Sequence, residues 1–155
     1  MKKNIVALVM ICSSVMTLAI GAPAKAQMSK NTIGPSLSIG SGTTSIGVDA
    51  RFVVSDNLSV RPFIFFPSGG TVFGSSLTYD FETSRSSKFQ ITPFVGAGVA
   101  IGSPNNGGGT STITYLTGGA DFGLTDSVDL KADLGVPLTS NNSSTNVRLG
   151  VGFRF

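Results

Sequence analysis

The chain has 155 residues, among them 20 glycines, 11 basic and 8 acidic residues, no histidine, no tryptophan and one cysteine. A single cysteine excludes an exported disulfide scaffold, and the lack of histidine leaves few soft metal ligands. The net charge of +3 includes Lys2, Lys3 and Lys25; without them eight basic residues face eight acidic ones, and no basic patch remains to make nucleic acid an expected partner.

From the N-terminus, Lys2, Lys3 and Asn4 precede an apolar run from Ile5 to about Ile20, and Gly21 to Ala26 supply small residues at a cleavage site. This pattern predicts a Sec-type secretory signal over residues 1–26, cleaved near Ala26. A retained transmembrane helix would need a longer apolar stretch flanked by anchoring charges. Cys12 follows Ile11 inside the run, which does not fit a lipoprotein processing site. Residues 27–155 are left as one domain.

Across that domain, β-branched and aromatic residues recur at period two and helical periodicity is weak. The alternation predicts eight strands: Thr32 to Gly40, Thr44 to Val54, Leu58 to Phe66, Thr71 to Phe81, Phe89 to Gly102, Ser111 to Leu124, Val128 to Leu138 and Asn146 to Phe155. Their lengths suit tilted strands crossing a bilayer. Turn formers separate them, as in Ser55-Asp56-Asn57, Pro67-Ser68-Gly69-Gly70 and Thr125-Asp126-Ser127.

The charges discriminate between kinds of barrel. Phasing each strand by its apolar side places Asp49, Arg51, Arg61, Asp80, Asp121, Asp129, Lys131, Asp133, Arg148 and Arg154 on one face. Side chains alternate across a strand, so unsorted charges would divide between faces. A lipid-facing outer surface explains the sorting, because Arg or Lys at the bilayer midplane costs about 2–4 kcal/mol. Five acids and five bases also balance, and eight strands enclose an interior that side chains fill, where charges persist only when paired. A soluble ligand-binding barrel would show the opposite polarity. Phe63, Phe65, Phe94 and Tyr115 fall on the inner face by the same phasing; they either plug the interior or mark a bulge that shifts the register.

The last nine residues, Val147 to Phe155, alternate apolar residues with Arg or Gly and place Leu149, Val151, Phe153 and Phe155 on one side. A half-buried strand in a soluble sheet shows the same alternation. With the strand and turn passages Thr92-Pro93-Phe94-Val95-Gly96-Ala97-Gly98-Val99 and Leu124-Thr125-Asp126-Ser127-Val128-Asp129-Leu130, the domain resembles the small eight-stranded outer-membrane barrels of the OmpA and OmpX type. The resemblance implies an all-β, antiparallel, up-and-down transmembrane β-barrel in the bacterial outer membrane. It also implies lipid as surroundings, and a terminal aromatic strand (Leu149, Val151, Phe153, Phe155) read by the barrel-assembly machinery. The loops near Ser41, Pro67, Ser103 to Thr110 and Thr139 to Thr145 are shorter than those many members use for adhesion, and the aromatic girdles are thin.

Asp129, Lys131 and Asp133 stand roughly 7 Å apart along one strand, a spacing open to acid and base chemistry, to a hard cation, or to an interior ladder with Arg61, Arg148 and Arg154. Barrel enzymes of this size use a histidine, which is missing here, so no enzymatic activity, catalytic residue, cofactor or metal is expected. The expected function is a structural, envelope-supporting barrel, monomeric, with a salt-bridged interior. A narrow porin-like channel for small polar solutes or ions and a surface-binding, adhesin-like barrel are the alternatives.

Overall fold

Period-two alternation becomes a run of antiparallel strands in the computed structural model, which describes residues 31–40, 42–81, 84–86, 89–105, 107–138 and 145–155. The expected signal segment, residues 1–26, lies outside the described residues. The strands are β1 Thr32–Gly40, β2 Thr43–Ser55, β3 Leu58–Phe66, β4 Gly70–Asp80, β5 Ser84–Ser86, β6 Phe89–Pro104, β7 Ser111–Gly123, β8 Val128–Pro137 and β9 Asn146–Arg154. No described helix is long and apolar enough to cross a membrane.

Each long strand pairs with its sequence neighbours, β4 pairs directly with β6, and β9 pairs back onto β1. Eight long strands therefore close into an all-antiparallel, up-and-down barrel, which removes the exposed sheet edges. The short β5 continues the line of β4 against β6. Asp80 pairs with Phe94, and Ser84 pairs with Ile91. Ser84-Arg85-Ser86 has no apolar alternation, and sequence reading missed it for that reason.

The register is strongly staggered. Followed around the wall from Ile39, the pairs run through Val147, Leu134, Gly118, Val95, Tyr79 and Leu58. The path ends at Ser55, beyond the Thr32↔Arg51 pair that terminates the β1–β2 ladder. Such stagger is the tilt that closure of an eight-stranded barrel requires. The lower end is taken here as that of Thr32 and Arg154, the upper end as that of Gly40 and Thr43.

The outer wall is apolar. Ile46, Leu77, Val95, Leu116, Leu134, Val136 and Leu149 are exposed along the strands, a continuous surface far larger than the apolar patches that water-soluble monomers tolerate. Aromatic side chains gather mainly at the lower rim, where Tyr79 packs edge-on against Phe81 at 5.2 Å and Phe52 against Phe155 at 6.4 Å. Phe153 and Phe155 face outward in this belt. Phe66, 56% exposed, stands at the upper rim.

Candidate functional site: the filled interior

Every described charged side chain within the long strands points into the barrel, and all ten form ion pairs there. Strand alternation delivers them to the lumen, and the stagger sets their heights so that partners from distant strands meet. At the lower end Arg154 bonds to Asp129. Above it Arg51, Arg61, Asp80 and Asp121 form a closed quartet in which each arginine touches both carboxylates. Arg61 engages Asp121 through two nitrogens, at 2.8 and 3.1 Å, and Asp80 at 3.1 Å. Arg51 reaches Asp121 at 2.8 Å and Asp80 at 3.3 Å.

The second set of pairs spans wider gaps. Lys131 Nζ lies 2.5 Å from Asp49 Oδ1, although β1 and β9 separate their strands. It crosses β9 where glycines leave room: a Cβ at Gly152 would stand 2.7 Å from Lys131 Cε, and one at Gly150 would stand 3.3 Å from Asp49 Oδ2. Arg148 bonds to Asp133 at 2.6 Å. Asp129 and Asp133 thus take Arg154 and Arg148 as partners, whereas Arg61 turns to Asp80 and Asp121 instead of joining a ladder on β8. The carboxylates of β8 are each engaged with a cation, and among the described residues no cluster of three His, Cys, Asp or Glu has the arrangement to hold a metal ion.

Sequence reasoning overlooked the hydroxyls that complete this network. Ser59 Oγ donates to Asp80 Oδ2 at 2.5 Å, and Thr78 Oγ1 donates to Asp80 Oδ1 at 3.1 Å while accepting from Arg61 Nε at 3.0 Å. Thr117 Oγ1 accepts from Arg148 Nη2 at 3.1 Å and donates to Asp133 Oδ1 at 3.3 Å. The signal was available: Ser59 and Thr78 stand two residues from Arg61 and Asp80, on the same face. These bonds occupy carboxylate lone pairs that a single counter-ion leaves open, which is the condition for tolerating buried ions.

The inward aromatic residues resolve as a plug, with the β3–β4 and β6–β7 registers unbroken across them. Phe65, Phe94 and Tyr115 are buried. Phe63 meets Phe65 at 5.5 Å and Tyr115 at 6.2 Å between ring centroids. The Arg61 guanidinium lies 3.6 Å from the Phe94 centroid and that of Arg148 4.9 Å from Phe63, so the aromatic layer also faces the cations. Again glycines make the space. A Cβ at Gly98 would fall 2.6 Å from the Tyr115 hydroxyl, and one at Gly47 would fall 2.5 Å from the Phe65 ring.

The interior consequently has two unlike ends. Below the quartet lies a polar gap of about 10 Å³, beside Arg51, Gln90 and Arg154. Above the aromatic plug a cup of about 290 Å³ opens at the upper end, walled by Phe65, Val72, Ala100, Ile113 and Pro137.

A closed antiparallel barrel with paired charges inside and an apolar wall outside is a transmembrane β-barrel, and its fold is that of the small eight-stranded outer-membrane barrels. No protein-family model matches the chain, and no curated protein matches it in sequence. Among solved structures it is similar to a de novo designed transmembrane β-barrel, with a TM-score of 0.64, 15% identity, and coverage of 83% of this chain and 98% of the design. A second de novo designed barrel, solved by solution NMR, gives a TM-score of 0.58 at 16% identity over 84% of this chain and 98% of its own. The N-terminal β-barrel domain of Pseudomonas aeruginosa OprF gives 0.52 at 17% identity, over 83% of this chain and 100% of that domain. At such identities the likeness is one of fold.

Proposed function

We propose that the chain is an integral protein of the bacterial outer membrane with a structural, envelope-supporting role, that its barrel passes no solute, and that it is not an enzyme. The observation that carries this reading is the closed quartet of Arg51, Arg61, Asp80 and Asp121 beneath the layer of Phe63, Phe65 and Tyr115. Together they fill the lumen over successive levels. An ion crossing the quartet would have to break pairs that lie in a region of low dielectric, where each unpaired charge costs several kcal/mol (order of magnitude).

In this reading the protein works as a monomer in lipid, its signal segment over residues 1–26 removed near Ala26 after Sec export. The outward Leu149, Val151, Phe153 and Phe155 of the last strand are what the barrel-assembly machinery recognises. The narrow porin-like channel is the competing outcome of the test. Purified folded protein in planar lipid bilayers is expected to give no conductance steps above the bare membrane. Reproducible steps that change in Arg61→Ala or Lys131→Ala would overturn the closed barrel. Fractionation of the host is expected to place a heat-modifiable band in the outer membrane, and recovery as a soluble periplasmic protein would sink the location.

A further inference from the structure

We propose that the upper cup is a binding site for a small, uncharged aromatic molecule. This goes beyond the envelope role and stands whether or not that role holds.

Deeper in the lumen Tyr115 takes up the space at Gly98 and Lys131 that at Gly152, and the lower gap is about 10 Å³. The cup is left at about 290 Å³, at a level where short Ala100 and Gly102 stand on the inner face of β6. A cavity of roughly 150 Å³ lined by apolar side chains already accepts benzene, and small-molecule sites begin near about 300 Å³. The cup therefore suits one substituted ring.

Its chemistry narrows the ligand. Phe63, Phe65 and Tyr115 present ring faces and edges, which favour an aromatic guest packed at an angle. The cation at the floor, Arg148, is already compensated by Asp133 and bonded to Thr117, so the cup offers no spare charge to an ionic guest.

The test uses the folded protein in phosphatidylcholine nanodiscs, with 4-methylphenol as the probe and 13C-methyl NMR as the readout. The Ile113 and Val72 methyls are expected to shift along a saturating curve, while the outward Leu77 and Val136 methyls drift linearly as the probe partitions into lipid. Ala100→Phe fills the cup and is expected to abolish the saturating response; should that variant not give the heat-modifiable folded band, Val72→Phe serves the same purpose. Linear shifts at Ile113 and Val72 that track the lipid-facing methyls would overturn the site, as would a saturating response that survives filling of the cup.

Discussion

Asp121 is 3% exposed and holds two arginines at once, so at this one residue the balance between desolvation and pairing is easiest to read. With its carboxylate in place, the charges of Arg51 and Arg61 are shared with Asp80 in a neutral group of four. Removing it leaves two buried cations competing for one carboxylate, and an uncompensated buried charge costs about 3–5 kcal/mol. Asp121→Ala is accordingly expected to lower the unfolding free energy in lipid vesicles by about that amount, measured by urea titration with heat-dependent gel mobility as the readout. Asp56→Ala, in the exposed β2–β3 turn, is the control and is expected to change stability by less than about 0.5 kcal/mol. Equal effects from the two substitutions would mean that the quartet adds nothing to the fold.

At the scale of the strand, glycine has two distinct uses that the sequence does not separate. Gly98 faces inward, where an added Cβ would fall 2.4 Å from the Ser75 carbonyl oxygen and 2.6 Å from the Tyr115 hydroxyl; Gly118 faces outward on β7, where the nearest atom is 3.6 Å away. Gly98→Ala is therefore expected to destabilise by about 1–3 kcal/mol through overpacking. Gly118→Ala is expected to be neutral or to stabilise by up to about 1 kcal/mol, since it restricts the unfolded chain. The same unfolding titration ranks the pair, and a reversed order would contradict the inward and outward assignment of β6 and β7. The strands themselves were legible because period two and charge sorting act together: β1 and β3 have the bounds that alternation predicts, and the other long strands differ by one or two residues at their ends. What stayed hidden was whatever depends on stagger. The bulge between Val53 and Ser55 leaves no mark in composition, and the meeting of Asp49 with Lys131, 82 residues away, follows only once the barrel has closed. Ten charged positions on one face were readable one at a time, but their partners were not.

For the whole molecule, one surface property and one interior property constrain each other. The outer wall carries no described charge within the long strands, and the lumen carries ten, so the chain has only one polarity in which both halves are satisfied: lipid outside, ion pairs inside. In water the exposed Leu116, Leu134 and Val136 would drive association, and an outward charge would cost little. In a bilayer the order inverts. Leu116 is 47% exposed and sits near the middle of β7, opposite Ala97 and Val136 in the neighbouring strands, so it lies close to the midplane of the apolar belt. Leu116→Arg is expected to cost about 2–4 kcal/mol of folding free energy in phosphatidylcholine vesicles, seen as a reduced fraction of the heat-modifiable folded band after refolding. In a short-chain detergent that lets water reach the wall, the same variant is expected to fold nearly as well as the parent. An equal loss in both media would point to a packing role for Leu116 against protein, and the lipid-facing wall would then need another explanation.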